Sequence, residues 1–143
     1  MNIKYEVFND DIFNKYELLR LDAYGKDIFC NCKNYYLKLV TNKMLIVGLY
    51  IDEELIAGCY VSGYRDYLFI DQLFVKSSYQ NCGLKIGRTL LLDVMNNREF
   101  IEDFFDKKYS SVKLFSYDEK SKSIYKSLGF SSVGKSIFMS KML

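Results

Sequence analysis

The stretch YLFIDQLFVKSSYQNCGLKIGRTLLLDVM, residues 67–95, decides the fold. Its first part, Tyr67–Val75, is rich in aromatic and branched residues and predicts a β-strand. The polar segment 76–85 follows, and from Ile86 to Met95 apolar residues recur at spacings of three and four. That spacing predicts an amphipathic helix. A strand, a polar loop and a helix in this order indicate an α/β fold.

Further elements are predicted on both sides of this unit. They are helices at Asp10–Tyr24 and Asn34–Val40, strands at Lys43–Ile51 and Leu55–Tyr64, a strand at Val112–Tyr117, a helix at Asp118–Ser127 and a final strand within residues 133–143. Residues 96–109 fit either a further helix or a long loop. The order ααβββαβαβ predicts one α/β (α+β) domain over residues 1–143. Its sheet would be mixed, twisted and mostly antiparallel, with about six strands flanked by helices.

The composition excludes several kinds of catalytic site. The 143 residues contain no histidine, so a Ser-His-Asp triad, a Cys-His dyad or a histidine-ligated zinc site cannot be built from this chain. The 20 basic and 18 acidic residues give a net charge of +2, which argues against an electrostatically driven nucleic-acid binder. The chemistry must therefore come from carboxylates, tyrosine, lysine, cysteine, backbone amides or a bound cofactor.

The cysteines indicate a reducing compartment rather than a metal site. Cys30 and Cys32 are separated by one residue, a spacing that is typical of neither a redox pair nor a zinc knuckle. The amino-terminal residues contain no apolar stretch that would serve as a signal peptide. The longest apolar run, residues 44–50, is far shorter than the roughly 20 residues that span a bilayer. We therefore expect a cytoplasmic protein with reduced thiols, no metal and no membrane association.

Residues 80–88 carry the features of an anion site. Backbone N–H groups at a helix amino-terminus bind anions where glycines let the ligand approach closely. Gly83 and Gly87 supply the glycines, and Lys85 and Arg88 add positive charge at the same end. The alternative is a plain turn that uses glycine for tight curvature. The spacing excludes a Walker phosphate loop and a G-x-G-x-x-G dinucleotide loop.

These residues resemble the acetyl-CoA loop of the GCN5-related N-acetyltransferases (GNAT), which is written Arg/Gln-x-x-Gly-x-Gly/Ala. Gln80 and Gly83 match the pattern, and Ile86-Gly87 is similar to the family's usual helix opening. Lys85 departs from the pattern, because Gly or Ala is usual at that place. Either Lys85 replaces the glycine, or the loop is about two residues longer and Gly87 takes the glycine's role.

A second segment supports the same resemblance. Residues 118–130 are similar to the family's Asn-x-x-Ala-x-x-Phe-Tyr-x-x-Leu-Gly-Phe segment, with Tyr125 and residues 128–130 matching directly. Asp118 stands where Asn is common. The two motifs and the order of the predicted elements together imply the GNAT fold over most of the chain.

The resemblance implies acetyl-CoA as co-substrate and identifies residues that would bind it. The backbone amides of residues 80–88 would hold the diphosphate, where the helix dipole also helps. The end of the preceding strand would pair with the pantetheine arm, and one of its N–H groups would stabilise the developing oxyanion. The implied binding residues are Leu73, Phe74, Val75, Gln80, Asn81, Cys82, Gly83, Leu84, Lys85, Ile86, Gly87, Arg88 and Asp118.

Two side chains are candidates for catalysis. Tyr125 is the candidate general acid, because a phenol of pKa about 10 can protonate a thiolate whose conjugate acid has a pKa near 8.5. With 13 tyrosines in the chain, the alternative is an ordinary structural aromatic. Asp71 is the candidate general base, acting through water on an ammonium group. Plain strand alternation places Asp71 on the face of Leu73 and Val75, and the alternative is an exposed or hydrogen-bonded acid.

The implied function is direct transfer of an acetyl group from acetyl-CoA to a primary amine of a small molecule or peptide. One alternative is a CoA-binding regulatory or interaction domain without turnover. Another is a toxin-type member that acetylates aminoacyl-tRNA, against which the weak net charge argues. No motif identifies the acceptor, and the oligomeric state, with a homodimer as one alternative, stays open.

Overall fold

A single sheet organises the chain. The structure, a computed structural model, describes residues 1–7, 9–24, 44–80, 85–116, 119–134 and 137–143. Within these ranges seven strands form the sheet: β1 (Asn2–Val7), β2 (Met44–Ile51), β3 (Glu54–Gly63), β4 (Tyr67–Val75), β5 (Ser111–Phe115), β6 (Ser131–Ser132) and β7 (Phe138–Met142). Their order across the sheet is β1-β2-β3-β4-β5-β7-β6. β4 and β5 pair in parallel, whereas the other neighbours pair antiparallel.

Helices cover both faces of the sheet. The described ranges contain four α-helices: α1 (Asp10–Tyr24), α2 (Ile86–Asn96), α3 (Arg98–Phe105) and α4 (Glu119–Ser127). A 3₁₀ turn, Ser77–Tyr79, follows β4 on the way to α2. None of the helices in these ranges is both long and apolar enough to cross a membrane.

The sheet separates two apolar clusters. α1 contributes Phe13, Tyr16 and Leu19 to the cluster on its own face, where they pack with Tyr60 and Phe74. The larger cluster, on the opposite face, contains the buried apolar residues of α2, α3 and α4. Because the central strands are covered on both faces, β2 and β3 are buried almost along their whole length.

Two glycines in the sheet make room for the Tyr16 ring of α1. A Cβ atom at Gly48 would lie 1.8 Å from the Tyr16 hydroxyl oxygen, and one at Gly58 would lie 2.7 Å from the Tyr16 ring. Neither position can hold a side chain unless the Tyr16 ring moves. The Tyr16 hydroxyl donates to Glu6 Oε2 at 3.1 Å, so the ring also connects α1 to β1.

A buried carboxylate fixes α3 to the start of β5. Glu102 is 3% exposed, and its Oε2 accepts the Tyr109 N–H at 2.7 Å. Its Oε1 lies 3.3 Å from Arg98 Nε and 3.7 Å from Lys108 Nζ. Burial pushes the pKa of Glu102 upward, but the Tyr109 amide and the charges of Arg98 and Lys108 outweigh it and hold the pKa below its ordinary value. Glu102 is therefore held in its charged form.

The predicted fold class is confirmed, although some elements differ from the prediction. The three-strand meander, α2 and the strand–helix–strand unit at the carboxyl end are as predicted. The predicted strand count leaves out β1, a half-buried edge strand, and the two-residue β6. Residues 98–105 form a helix, which decides between the alternatives for that segment. The predicted helix at 34–40 lies outside the described residues.

Candidate active site

The parallel pairing of β4 with β5 ends half-way along β4. The ladder runs from Tyr67–Ser111 to Ile70–Leu114. β4 continues to Val75, and over residues 71–75 it is paired with β3 but not with β5. An extended ligand with its own amide groups can pair with such a strand edge in the way an added strand does. The predicted pantetheine-binding segment, residues 73–75, lies at this opening.

A β-bulge lies inside β4, next to the opening. Tyr60 of β3 pairs with Asp71, and Gly58 pairs with Phe74. Between these two pairs β3 has one residue and β4 has two. The extra residue shifts the alternation of side chains along β4 by one position.

The bulge decides which way Asp71 points. Asp71 lies opposite Tyr60 and so faces α1, whereas Leu73 and Val75 pack against the cluster on the α2 face. The prediction that Asp71 shares a face with Leu73 and Val75 is therefore wrong, because plain alternation does not hold across a bulge. Asp71 is 7% exposed, so the alternative of an exposed acid is also excluded.

The amino-terminus of α2 presents backbone N–H groups that no side chain of the described residues caps. Lys85 precedes the helix with φ 50° and ψ 46°, and its side chain makes no capping hydrogen bond to the first turn. Thr89 N–H donates to the Lys85 carbonyl at 2.9 Å and makes the first intrahelical bond. The amides of residues 86–88 precede it and have no acceptor within the helix. Together with the positive side chains of Lys85 and Arg88, they form a site that fits a diphosphate.

The backbone conformations at the end of the loop indicate which of Lys85 and Gly87 takes the place of the motif glycine. Lys85 has the left-handed conformation that glycine adopts most easily, and Gly87 lies within α2. This geometry favours the alternative in which Lys85 stands at the place of the motif glycine. A Cβ at Gly87 would lie 3.5 Å from Val75 Cγ2 and 3.9 Å from Leu73 Cδ2, which are ordinary contacts. The start of α2 therefore lies against the end of β4, and the protein's own packing does not require glycine there.

Gln80 bonds to the protein itself. Its side-chain amide donates to the Val75 carbonyl at 2.7 Å and to the Ala23 carbonyl at 3.3 Å. Its main-chain N–H donates to the Ser77 carbonyl at 3.3 Å, so this amide already has an acceptor. The other predicted loop residues Asn81, Cys82, Gly83 and Leu84, as well as Asp118, lie outside the described residues.

Tyr125 takes part in the backbone cap at the carboxyl end of α4. Its carbonyl accepts the N–H groups of Leu128 at 3.1 Å and Phe130 at 3.0 Å, and Gly129 between them has φ +95°. This is a Schellman cap, in which the rings of Tyr125 and Phe130 also pack, with centroids 6.1 Å apart. The Tyr-x-x-Leu-Gly-Phe pattern thus has a structural role in ending the helix. Tyr125 is 6% exposed and belongs to the cluster against which Leu73 and Val75 pack, and its role as general acid stays a prediction.

Three further residues, which the sequence did not single out, form a polar group beside Asp71. The Tyr60 hydroxyl donates to Glu17 Oε2 at 2.8 Å. Arg20 Nε and Nη2 donate to the two oxygens of Glu17 at 2.8 and 3.1 Å, and Arg20 is 3% exposed. Burial raises the pKa of Tyr60 far above its ordinary value, and the Glu17 carboxylate raises it further, so Tyr60 stays protonated. The i,i+3 spacing of Glu17 and Arg20 on a predicted helix is the only signal that could have indicated this group.

Cys59 lies in β3 at the bulge and is a free, fully buried thiol. Burial raises its pKa to about 12, so it is a thiol rather than a thiolate at neutral pH. Cys59 is therefore unsuited to form an acyl-cysteine intermediate.

Comparisons with known proteins find a similar fold in acetyltransferases. No protein-family model and no curated protein matches the sequence. Among solved structures, a GNAT-family acetyltransferase from Staphylococcus aureus Mu50 is similar with a TM-score of 0.73 at 13% identity, covering 99% of each chain. Aminoglycoside 6'-acetyltransferase type Ii is similar with a TM-score of 0.73 at 16% identity, covering 99% of this chain and 97% of that one.

A third solved structure contains coenzyme A, which carries the acetyl group in the predicted co-substrate. PaiA N-acetyltransferase from Thermoplasma acidophilum, in complex with coenzyme A, is similar with a TM-score of 0.68 at 18% identity, covering 100% of both chains. At these identities the likeness concerns the backbone and not a particular activity. The sheet order, the opening beyond Ile70 and the placement of α2 agree with the assignment made from the two motifs. The chain has the fold of the GCN5-related N-acetyltransferases.

Proposed function

We propose that this chain, as one domain over residues 1–143, is an acetyl-CoA-dependent N-acetyltransferase. It moves the acetyl group directly to a primary amine of a small molecule or peptide. The observation that carries the proposal is the opening between β4 and β5 beyond Ile70, which lies next to the uncapped amino-terminus of α2. A ligand with an extended amide arm and a diphosphate at one end matches these two features.

The donor is held by backbone groups. The amides of residues 86–88, with the charges of Lys85 and Arg88, bind the diphosphate. The pantetheine arm lies along residues 73–75, and an N–H of that segment stabilises the oxyanion that forms on the acetyl oxygen. The position of Gly87 beside Val75 and Leu73 supports this assignment, because a Cβ added at Gly87 would lie within 3.9 Å of both side chains and the two halves of the donor site are therefore adjacent.

The transfer requires three proton movements. The ammonium group of the acceptor first gives a proton to Asp71 through water, which frees the nitrogen lone pair. The nitrogen then forms a bond to the acetyl carbon while the bond from that carbon to sulfur breaks. The leaving thiolate takes a proton from Tyr125, and the acetylated nitrogen gives up its second proton to the tyrosinate, so that an amide and a free thiol are formed and the Tyr125 hydroxyl is restored. The high pKa of Cys59 supports direct transfer, since a buried thiol does not compete as nucleophile.

The acceptor is an amine, and the reaction takes place in the cytoplasm. Solved structures of the same fold include a ribosomal-protein-S18-alanine N-acetyltransferase from Escherichia coli and an aminoglycoside 6'-acetyltransferase. The first name describes transfer to a nitrogen of an alanine, and the second describes transfer to an aminoglycoside, a class of molecule that carries amino groups. In this chain, Asp71 and the Glu17–Arg20 pair lie on the α1 face of the sheet, which is the side from which we propose that the amine approaches.

Two measurements test the proposal. Calorimetry with coenzyme A and acetyl-CoA should detect binding of both ligands to the purified chain. Release of free thiol should then be followed with polyamines, amino acids, aminoglycosides and peptide amino-termini as acceptors. Binding without thiol release for any amine favours a regulatory CoA-binding domain, and an absence of binding refutes the donor site altogether. Arg88→Ala should weaken coenzyme A binding, whereas Arg65→Ala, an equal loss of charge at an exposed turn, should not.

A further inference from the structure

The carboxyl end of α1 is bonded to the turn that follows β4. Asp22 Oδ2 accepts the Ser77 N–H at 2.9 Å, and Asp22 Oδ1 accepts the Ser77 hydroxyl at 3.2 Å. Ser77 is the first residue of the 3₁₀ turn, so its N–H has no acceptor within that turn. A side chain from α1 therefore caps a turn 55 residues further along the chain.

Gln80 connects the same two segments from the other end of the turn. Its side-chain amide donates to the carbonyl of Val75, the last residue of β4, and to the carbonyl of Ala23 in α1. One side chain thus joins the end of β4, the end of the turn and the end of α1. Asp22 and Gln80 together hold the turn at both of its ends.

The turn at residues 77–80 lies between the two halves of the proposed donor site. Before it lies the end of β4, and after it the chain leads to the uncapped amides of α2. The Lys76 N–H donates to the Ile56 carbonyl at 2.7 Å, so the beginning of this connection is also fixed to β3. The position of the strand end relative to the helix start decides whether one ligand can contact both at once. Small displacements of such a support weaken binding without changing the contact residues themselves.

We propose that Asp22 and Gln80 are positioning residues for the donor substrate. They hold the turn 77–80 against α1 and so set the geometry of the site that binds the coenzyme A moiety. This inference rests on the proposed function. It adds that α1, which also carries Glu17 and Arg20 beside Asp71, determines affinity for the donor from outside the donor site.

The test compares four variants with a matched control by calorimetry with coenzyme A. Asp22→Ala and Gln80→Ala each remove the bonds described, and each should raise the dissociation constant about five- to tenfold, as expected for the loss of two exposed hydrogen bonds. Gln80→Glu should weaken binding at least as much, because a carboxylate cannot donate to the two carbonyls. Asp22→Asn retains an acceptor for Ser77 N–H and should bind within about twofold of the unmodified chain. Asp11→Ala, an equal charge change in the first turn of α1, is the control and should leave binding unchanged.

Kinetics separate positioning from a general loss of structure. With any accepted amine, the KM for acetyl-CoA should rise in Asp22→Ala and Gln80→Ala while kcat stays within about twofold, because the acid and the base are untouched. Dissociation constants of both alanine variants within twofold of the unmodified chain would overturn the inference and leave the proposed function intact. Failure of the unmodified chain to bind coenzyme A would refute the proposed function, and this inference with it.

Discussion

The substitution Gly87→Ala tests whether the glycine in α2 is required for folding or for binding of the donor. Gly87 is the second residue of α2, and among the described residues a Cβ added there would meet Val75 Cγ2 at 3.5 Å and Leu73 Cδ2 at 3.9 Å. These distances are normal van der Waals contacts, so the methyl group fits without moving either neighbour. The neighbouring amides, in contrast, are the proposed diphosphate site.

The substitution is expected to raise the stability of the protein and to weaken its binding of coenzyme A. Replacing glycine by alanine in a helix stabilises it by up to about 1 kcal/mol, because the unfolded chain loses conformational freedom. For a domain of this size, such a gain raises Tm by about 2–5 °C. A methyl group beside the amides of residues 86–88 hinders the close approach of a diphosphate. We expect coenzyme A to bind at least about tenfold more weakly, which corresponds to about 1.4 kcal/mol.

The assay combines thermal denaturation without ligand and calorimetry with coenzyme A on the same preparation. The expected result is a variant that is as stable as the unmodified chain, or more so, and binds the ligand poorly. A lower Tm would show that a methyl group does not fit at Gly87. Unchanged affinity together with a raised Tm would show that the diphosphate does not lie at the start of α2.

Three other substitutions test catalysis and the buried carboxylate. Tyr125→Phe should lower kcat by about 10²- to 10⁴-fold with unchanged coenzyme A affinity; a kcat within threefold would leave Tyr125 with its capping role only. Asp71→Asn should lower kcat/KM by about 10²-fold near pH 7 and by less above pH 10, where the amine is already deprotonated. If kcat/KM is lowered by the same factor at every pH, Asp71 does not act as the base. Glu102→Gln should lower the free energy of unfolding by about 1.5–3 kcal/mol at pH 7, measured by urea denaturation. Since folding lowers the pKa of Glu102, its contribution is present above the ordinary value of 4.5 and is lost as the pH falls through the folded value, so the two unfolding curves should converge in acid.

The elements that contain regular patterns could be predicted from the sequence. β4 has the bounds that its run of aromatic and branched residues indicates, and α2 begins at Ile86, where the helical spacing starts. Gly129 ends α4 with the positive φ expected of a glycine cap. In each of these cases, the signal lies within the element itself and does not depend on distant contacts.

The features that depend on distant partners could not be predicted in the same way. β1 is an edge strand whose alternation, Asn2 to Val7, is short, and it is a strand because β2 provides its partner. The bulge in β4 is specified by its pairing with β3, so the orientation of Asp71 could not be obtained from β4 alone. The contact of Tyr60 with Glu17 joins residues 43 positions apart, and no local pattern marks it.

Because the bulge changes the orientation of β4 part-way along its length, the two halves of this strand can vary independently. In the first half, a side chain that faces α1, such as Asp71, can be exchanged without altering Leu73 and Val75, which face α2. Loss of one of the two residues opposite Cys59 would restore plain alternation, with Asp71 and Phe74 still toward α1 and Val75 still toward α2. The bulge therefore adds one residue of length to the strand edge beyond Ile70 without changing the face that the end of β4 presents to α2.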